Sequence, residues 1–167
     1  NQMEVTTEDW IDTLERMEEE LQEELPGATI PIDKKGANLL YTVNAREPKF
    51  YPMDISQAAM VFYLAGEDWT MSTDYWDVTN YALFSGDDVA ARQIGLWALE
   101  AATELDVQEV WMSECGHGYR ALRWEAENGL GQAFPFRVRG TQIRVYSETA
   151  QTGNEAPGAM VHRLPAG

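Results

Sequence analysis

Four short β-leaning runs, "NLLYTV" (38–43), "DWTMS" (68–72), "EVWMS" (109–113) and "FPFRV" (134–138), alternate along the chain with segments whose apolar residues recur every three or four positions. That alternation constrains the fold more than any other feature. Strand–helix–strand ordering calls for parallel strands joined by helical crossovers, and consecutive apolar residues in a strand call for cover on both faces of the sheet. The expected fold is α/β, a mostly parallel sheet of about four strands with helices on both faces, preceded by an acidic amphipathic helix. Sheets of this kind collect ligands beyond the carboxyl ends of their strands. The segments "VNAREP" and "SECGHG" would lie there.

The helical segments are marked by spacing and by their ends. Thr7 is expected to open the first helix, with Glu8 and Asp9 suited to the positive end of its dipole. Trp10, Ile11, Leu14, Met17, Leu21 and Leu25 then collect on one side, and "LPG" at 25–27 ends it. A second helix is predicted over 54–65, with Ile55, Ala58, Ala59, Phe62 and Tyr63 turned inward and Gly66 as its stop. A long helix over about 89–105 starts beside Asp87 and Asp88, and another follows "SECGHG" as far as about Glu127. The organisation that results is an acidic helix and linker at 1–30, an α/β domain at 31–140, and from 141 to 167 a tail expected to be poorly ordered.

Charge narrows the partners. The formal net charge of -16, from 12 Lys and Arg against 28 Asp and Glu, repels a phosphate backbone and argues against a nucleic-acid role. Much of the excess is the expected water-facing side of the first helix, whereas from Arg137 onward four arginines face two glutamates. No apolar run is long enough to cross a bilayer. A lone cysteine cannot form an intrachain disulfide, and no secretory-type leader precedes the first helix. The expected setting is therefore cytoplasmic, peripheral to a membrane complex at most.

The candidate chemistry concentrates in "SECGHGYRALRWEA" (113–126), which holds the only cysteine and one of two histidines. Cys115 beside His117 is one route to an activated thiol; a plain, partly buried cysteine is the other reading. Glu114, Cys115 and His117 offer oxygen, sulfur and nitrogen, fewer than the four ligands of a structural zinc site. Gly116 and Gly118 suit a tight turn whose amides face an anion. Arg120 and Arg123 either bind a carboxylate or pair with Glu127 and other surface acids. In "DYWDVTNY" (74–81), Tyr75, Trp76 and Tyr81 are aromatic residues of a loop, candidates for a docking surface.

Taken together, "LLYTVNAREPKFYPMDISQAAMVFYLAGEDWTMS", "WDVTNYALFSGDDVAARQIGLWALEAATELDVQEVWMSECGHGYRAL" and "FPFRV" resemble the cysteine-rich domain of iron–sulfur oxidoreductases. This module occurs in heterodisulfide reductase subunits and in the iron–sulfur subunits of glycolate oxidase and anaerobic glycerol-3-phosphate dehydrogenase. The resemblance spans Pro31 to Val138. Its pattern places one cysteine near Asn44, a pair at Asp77 and Val78, and a final C-x-x-C on Cys115 and Gly118; only Cys115 matches.

The resemblance implies an electron-transfer parent protein that carries an iron–sulfur cluster, with other domains or subunits of the complex as partners. For this domain it implies no cluster, because thiolates hold such clusters and one thiolate with His117 and Asp77 is a poor set. The expected role is packing and docking. The alternative keeps Cys115 and His117 live, as a redox-active thiol or a metal or cluster ligand completed by another domain or chain.

Overall fold

The computed structural model describes residues 5–77, 85–113 and 115–140. The expected disorder of the 141–167 tail, the docking role of Tyr81 and the positions of Val78 and Glu114 all concern residues outside these segments.

The sheet is four-stranded and wholly parallel, in the order β2-β1-β3-β4. Its strands are β1 (Leu39–Thr42), β2 (Trp69–Thr70), β3 (Glu109–Met112) and β4 (Arg137–Gly140). The helices are α1 (Thr7–Glu24), α2 (Arg46–Phe50), α3 (Met53–Ala65), α4 (Asp88–Glu104), α5 (Gly116–Arg120) and α6 (Glu127–Leu130), with a π-helical turn at Ala121–Ala126 joining the last two. β1 and β3 are buried along their whole length. Their side chains alternate between two cores, as the pleat dictates. Leu39, Tyr41 and Trp111 pack with α1 and α3 on one face, while Leu40, Val110 and Met112 pack with α4, the π-helical turn and β4 on the other.

The faces follow from the strand order. The crossover from β1 to β2 runs in one direction over the α3 face. Those from β2 to β3 and from β3 to β4 run in the opposite direction over the other face, so all three share one hand. The connections leaving β1 and β3, which are neighbours, thus diverge to opposite faces. The switch point between their carboxyl ends is the crevice position at which open α/β sheets bind ligands.

Several local expectations are corrected. Thr6, not Thr7, caps α1: its Oγ1 accepts from the Asp9 amide at 3.1 Å, and the Asp9 carboxylate accepts from the Thr6 amide at 3.2 Å. The reciprocal pair is a capping box with Asp in place of the usual Glu, which is why the adjacent threonine loses the position. Tyr63 is 45 % exposed rather than turned inward; it leans across the turn at Gly27, whose missing β-carbon would sit 3.1 Å from its hydroxyl. The last strand begins at Arg137, not Phe134. Pro135 has no N–H for a ladder, and Phe134 and Phe136 stack at 4.8 Å and pack into the core before pairing begins.

α1 precedes the sheet, as expected, and its apolar side joins the main core. Trp10, Leu14, Met17 and Leu21 are buried against α3 and the sheet, and the Trp10 indole donates to the Ser72 carbonyl at 3.0 Å. Trp76 stacks on Trp10 at 4.3 Å and is only 5 % exposed. That corrects its assignment as a docking residue: an indole clamped under α1 has no face left for a partner.

Candidate functional site

β1 and β3 deliver two loops to the crevice. After β1 the chain passes Val43 and Asn44 and turns at once into α2, whose first turn carries Glu47. After β3 it passes Ser113 and reaches Cys115, which caps α5. The backbones are joined at this end, because the Ser113 amide donates to the Thr42 carbonyl at 3.0 Å.

One carboxylate dominates the junction. Glu47 is 4 % exposed, and its Oε2 accepts from the Asn44 amide at 2.7 Å, the Asn44 side-chain amide at 3.0 Å and the Ser113 hydroxyl at 2.7 Å. Asn44, 1 % exposed, uses its Oδ1 to accept from the Arg46 amide at 2.8 Å. A loop amide and a hydroxyl that would otherwise greet a bound anion are therefore satisfied from within the chain. Among the described residues no buried side-chain nitrogen or oxygen lacks a partner. Such a network resists opening, since a buried polar group left unpaired costs about 1–3 kcal/mol.

Three of the positions that the resemblance picks out, Asn44, Asp77 and Cys115, follow three different strands. Asp77 lies beyond β2 and forms an isolated parallel bridge with Val43; Asn44 follows β1; Cys115 follows β3. All three stand at one end of three adjacent strands. Their chemistry does not suit an iron–sulfur cluster: a carboxylate, an amide already committed to its own loop, and one thiol replace the thiolates such clusters take. No group of three or more His, Cys, Asp or Glu side chains placed to hold a metal ion occurs among the described residues.

Cys115 is buried, at 8 % exposure, and its Sγ accepts from the Gly118 amide at 3.4 Å, so it serves α5 as a capping atom. His117 is exposed in the first turn of the same helix. Tyr75 is 46 % exposed, adopts φ 55°, and stacks on Trp97 of α4 at 5.3 Å. Arg120 pairs with Glu125 at 3.2 Å on the surface, the structural one of the two roles read for it. Arg123 lines an open groove of about 340 Å³ with Tyr119, Glu127 and the arginines of β4.

Two buried acids escaped the sequence reading. Glu47 has no signature: an acidic residue in the first turn of a short helix reads as a helix-opening surface charge. Glu109 opens β3 at 1 % exposure, at the sheet end opposite the crevice. It accepts from Trp111 Nε1 at 2.8 Å and pairs with Arg137 at 2.7 Å and Arg139 at 3.0 Å. Its signal was present as two arginines at alternate positions of β4, in register with Glu109 and Trp111.

Fold and site together define an open, wholly parallel α/β domain whose strand-end crevice is filled by a carboxylate network. Comparison with models of known protein families, with curated proteins and with solved structures gives no match to this chain. No helix among the described residues is long and apolar enough to cross a membrane.

Proposed function

We propose that this chain is a packing and docking module of an iron–sulfur electron-transfer oxidoreductase of the heterodisulfide-reductase type, one that no longer holds a cluster of its own. One observation carries the reading: Asn44, Asp77 and Cys115, where the resemblance asks for cysteines, stand together at the carboxyl ends of three adjacent strands, and Glu47 closes the space between two of those ends. On this reading the place of the site is kept while its donors are replaced. The partners are other domains or subunits of the complex, on its cytoplasmic side, and the cluster belongs to the parent protein.

Anaerobic purification followed by visible absorption and iron analysis tests the proposal. A colourless, folded protein without stoichiometric iron is the expected result; broad sulfur-to-iron charge-transfer absorption with stoichiometric iron refutes it. The second reading, a redox-active thiol at Cys115, draws on its proximity to His117 and on its place at the start of α5. Rapid reaction of the native protein with a thiol reagent would favour that reading over the first.

A further inference from the structure

α3 is apolar on nearly every side. Ile55, Ala59 and Phe62 face the core, yet Met53, Val61 and Leu64 stand on the opposite side at 58 %, 44 % and 72 % exposure, with the half-buried Met60 beside them. Phe50 and Tyr51, immediately upstream, are 62 % and 60 % exposed. A helix apolar all round is one buried all round. By the usual size of such side chains this strip presents on the order of 500 Å² of apolar surface, the upper end of what monomers leave open.

The charges beside the strip say what covers it. α1 packs directly against α3 on the same face of the sheet; it carries nine carboxylates against the single Arg16 between Thr7 and Glu24, of which Glu15, Glu18 and Glu19 line a separate groove with Ile30 and Ile32. Its last turn holds Glu23 and Glu24 and no basic residue, so these charges add to the negative end of the helix dipole instead of offsetting it. The other charges on the strip's own elements are Arg46, the buried Glu47 and Lys49 on α2, with the Lys49 ammonium 5.7 Å from the Phe50 ring, and Asp54 in the first turn of α3. An apolar strip with a long acidic flank is complementary to an amphipathic helix bearing a basic flank.

We propose that the outer face of α3, with Phe50 and Tyr51, is the docking surface of this module, and that its occupant is a basic amphipathic helix of a partner protein. The inference rests on the docking role proposed above, but it is read by a different experiment. Iron analysis reports on the strand ends, whereas helix binding reports on α3, so either can fail while the other holds.

The test titrates the full chain with a labelled synthetic helix of the length of α3, leucines at i, i+3, i+4 and i+7 and lysines along one flank. A matched peptide with glutamates for lysines is the control, and anisotropy is the readout. The lysine peptide is expected to bind saturably at one per chain, more weakly as salt rises, and the glutamate peptide to bind at least tenfold less well. Leu64→Asp should weaken binding about tenfold. That substitution adds negative charge, so attraction to α1 alone would strengthen, not weaken, the complex. Val61→Asp repeats the measurement at a second exposed position, with circular dichroism confirming that both variants fold. Failure to bind, equal binding of both peptides, or binding unchanged by both substitutions overturns the proposal. So does sedimentation of the chain alone as a dimer that Leu64→Asp dissociates, because a second copy would then occupy the face.

Discussion

Glu47 and Cys115 sit at the same end of the sheet and play opposite parts. Glu47 holds the ends of β1 and β3 together by accepting three hydrogen bonds on one oxygen. Glu47→Ala strips partners from the Asn44 amide and the Ser113 hydroxyl at once, and a loss of about 2–4 kcal/mol in denaturant stability is expected. A loss below the uncertainty of the melt would mean that water replaces the carboxylate freely and the crevice is not closed. Cys115 is buried as a cap, so the native thiol should react with Ellman's reagent far more slowly than the urea-unfolded one; equal rates would contradict its burial. Sequence showed the thiol and its neighbouring histidine plainly. It gave no hint that an ordinary-looking glutamate was the organising residue, because besides the two donors of nearby Asn44 its burial depends on the Ser113 hydroxyl, 66 positions away.

Elements were easier to read where a helical period or a stop residue decided them. Trp10, Leu14, Met17 and Leu21 of the α1 stripe and the stop of α3 at Gly66 stand as expected, Ile11 lies only half-buried outside the core cluster, and the cap of α1 and the start of β4 moved because a side-chain pair and a proline decided them. The Asp9 carboxyl is held below the usual carboxylate range by hydrogen bonds from the Thr6 hydroxyl and amide. A lowered folded-state value means that this support for α1 is present above the ordinary carboxylate range and is lost as pH falls through the lowered value. Thr6→Ala should therefore destabilise the protein at neutral pH and make less difference in strong acid, as circular dichroism melts at the two pH values would show. An equal effect at both would remove Asp9 from the cap. α4 depends on a close approach: a β-carbon at Gly95 would lie 3.0 Å from that of Ala126 in the π-helical turn. Gly95→Val is expected to cost about 1–3 kcal/mol through overpacking, and an unchanged melting temperature would show that the helices separate easily.

At the scale of the whole molecule, the parallel sheet and its two-sided cover were legible because apolar strand runs alternate with helical periods. The partners of α1 were less so: the sequence shows an acidic amphipathic helix, but the Trp10 indole meets Ser72 and Trp76, contacts that no local pattern announces. The proposed function turns on reading the carboxyl ends of β1, β2 and β3 as the place of a cluster site that lacks cluster-binding donors. Anaerobic reconstitution of the pure chain with ferrous iron and sulfide, read by native mass spectrometry, addresses that directly. The account predicts the mass of the polypeptide alone. A stoichiometric iron–sulfur adduct that disappears in Cys115→Ser would contradict it.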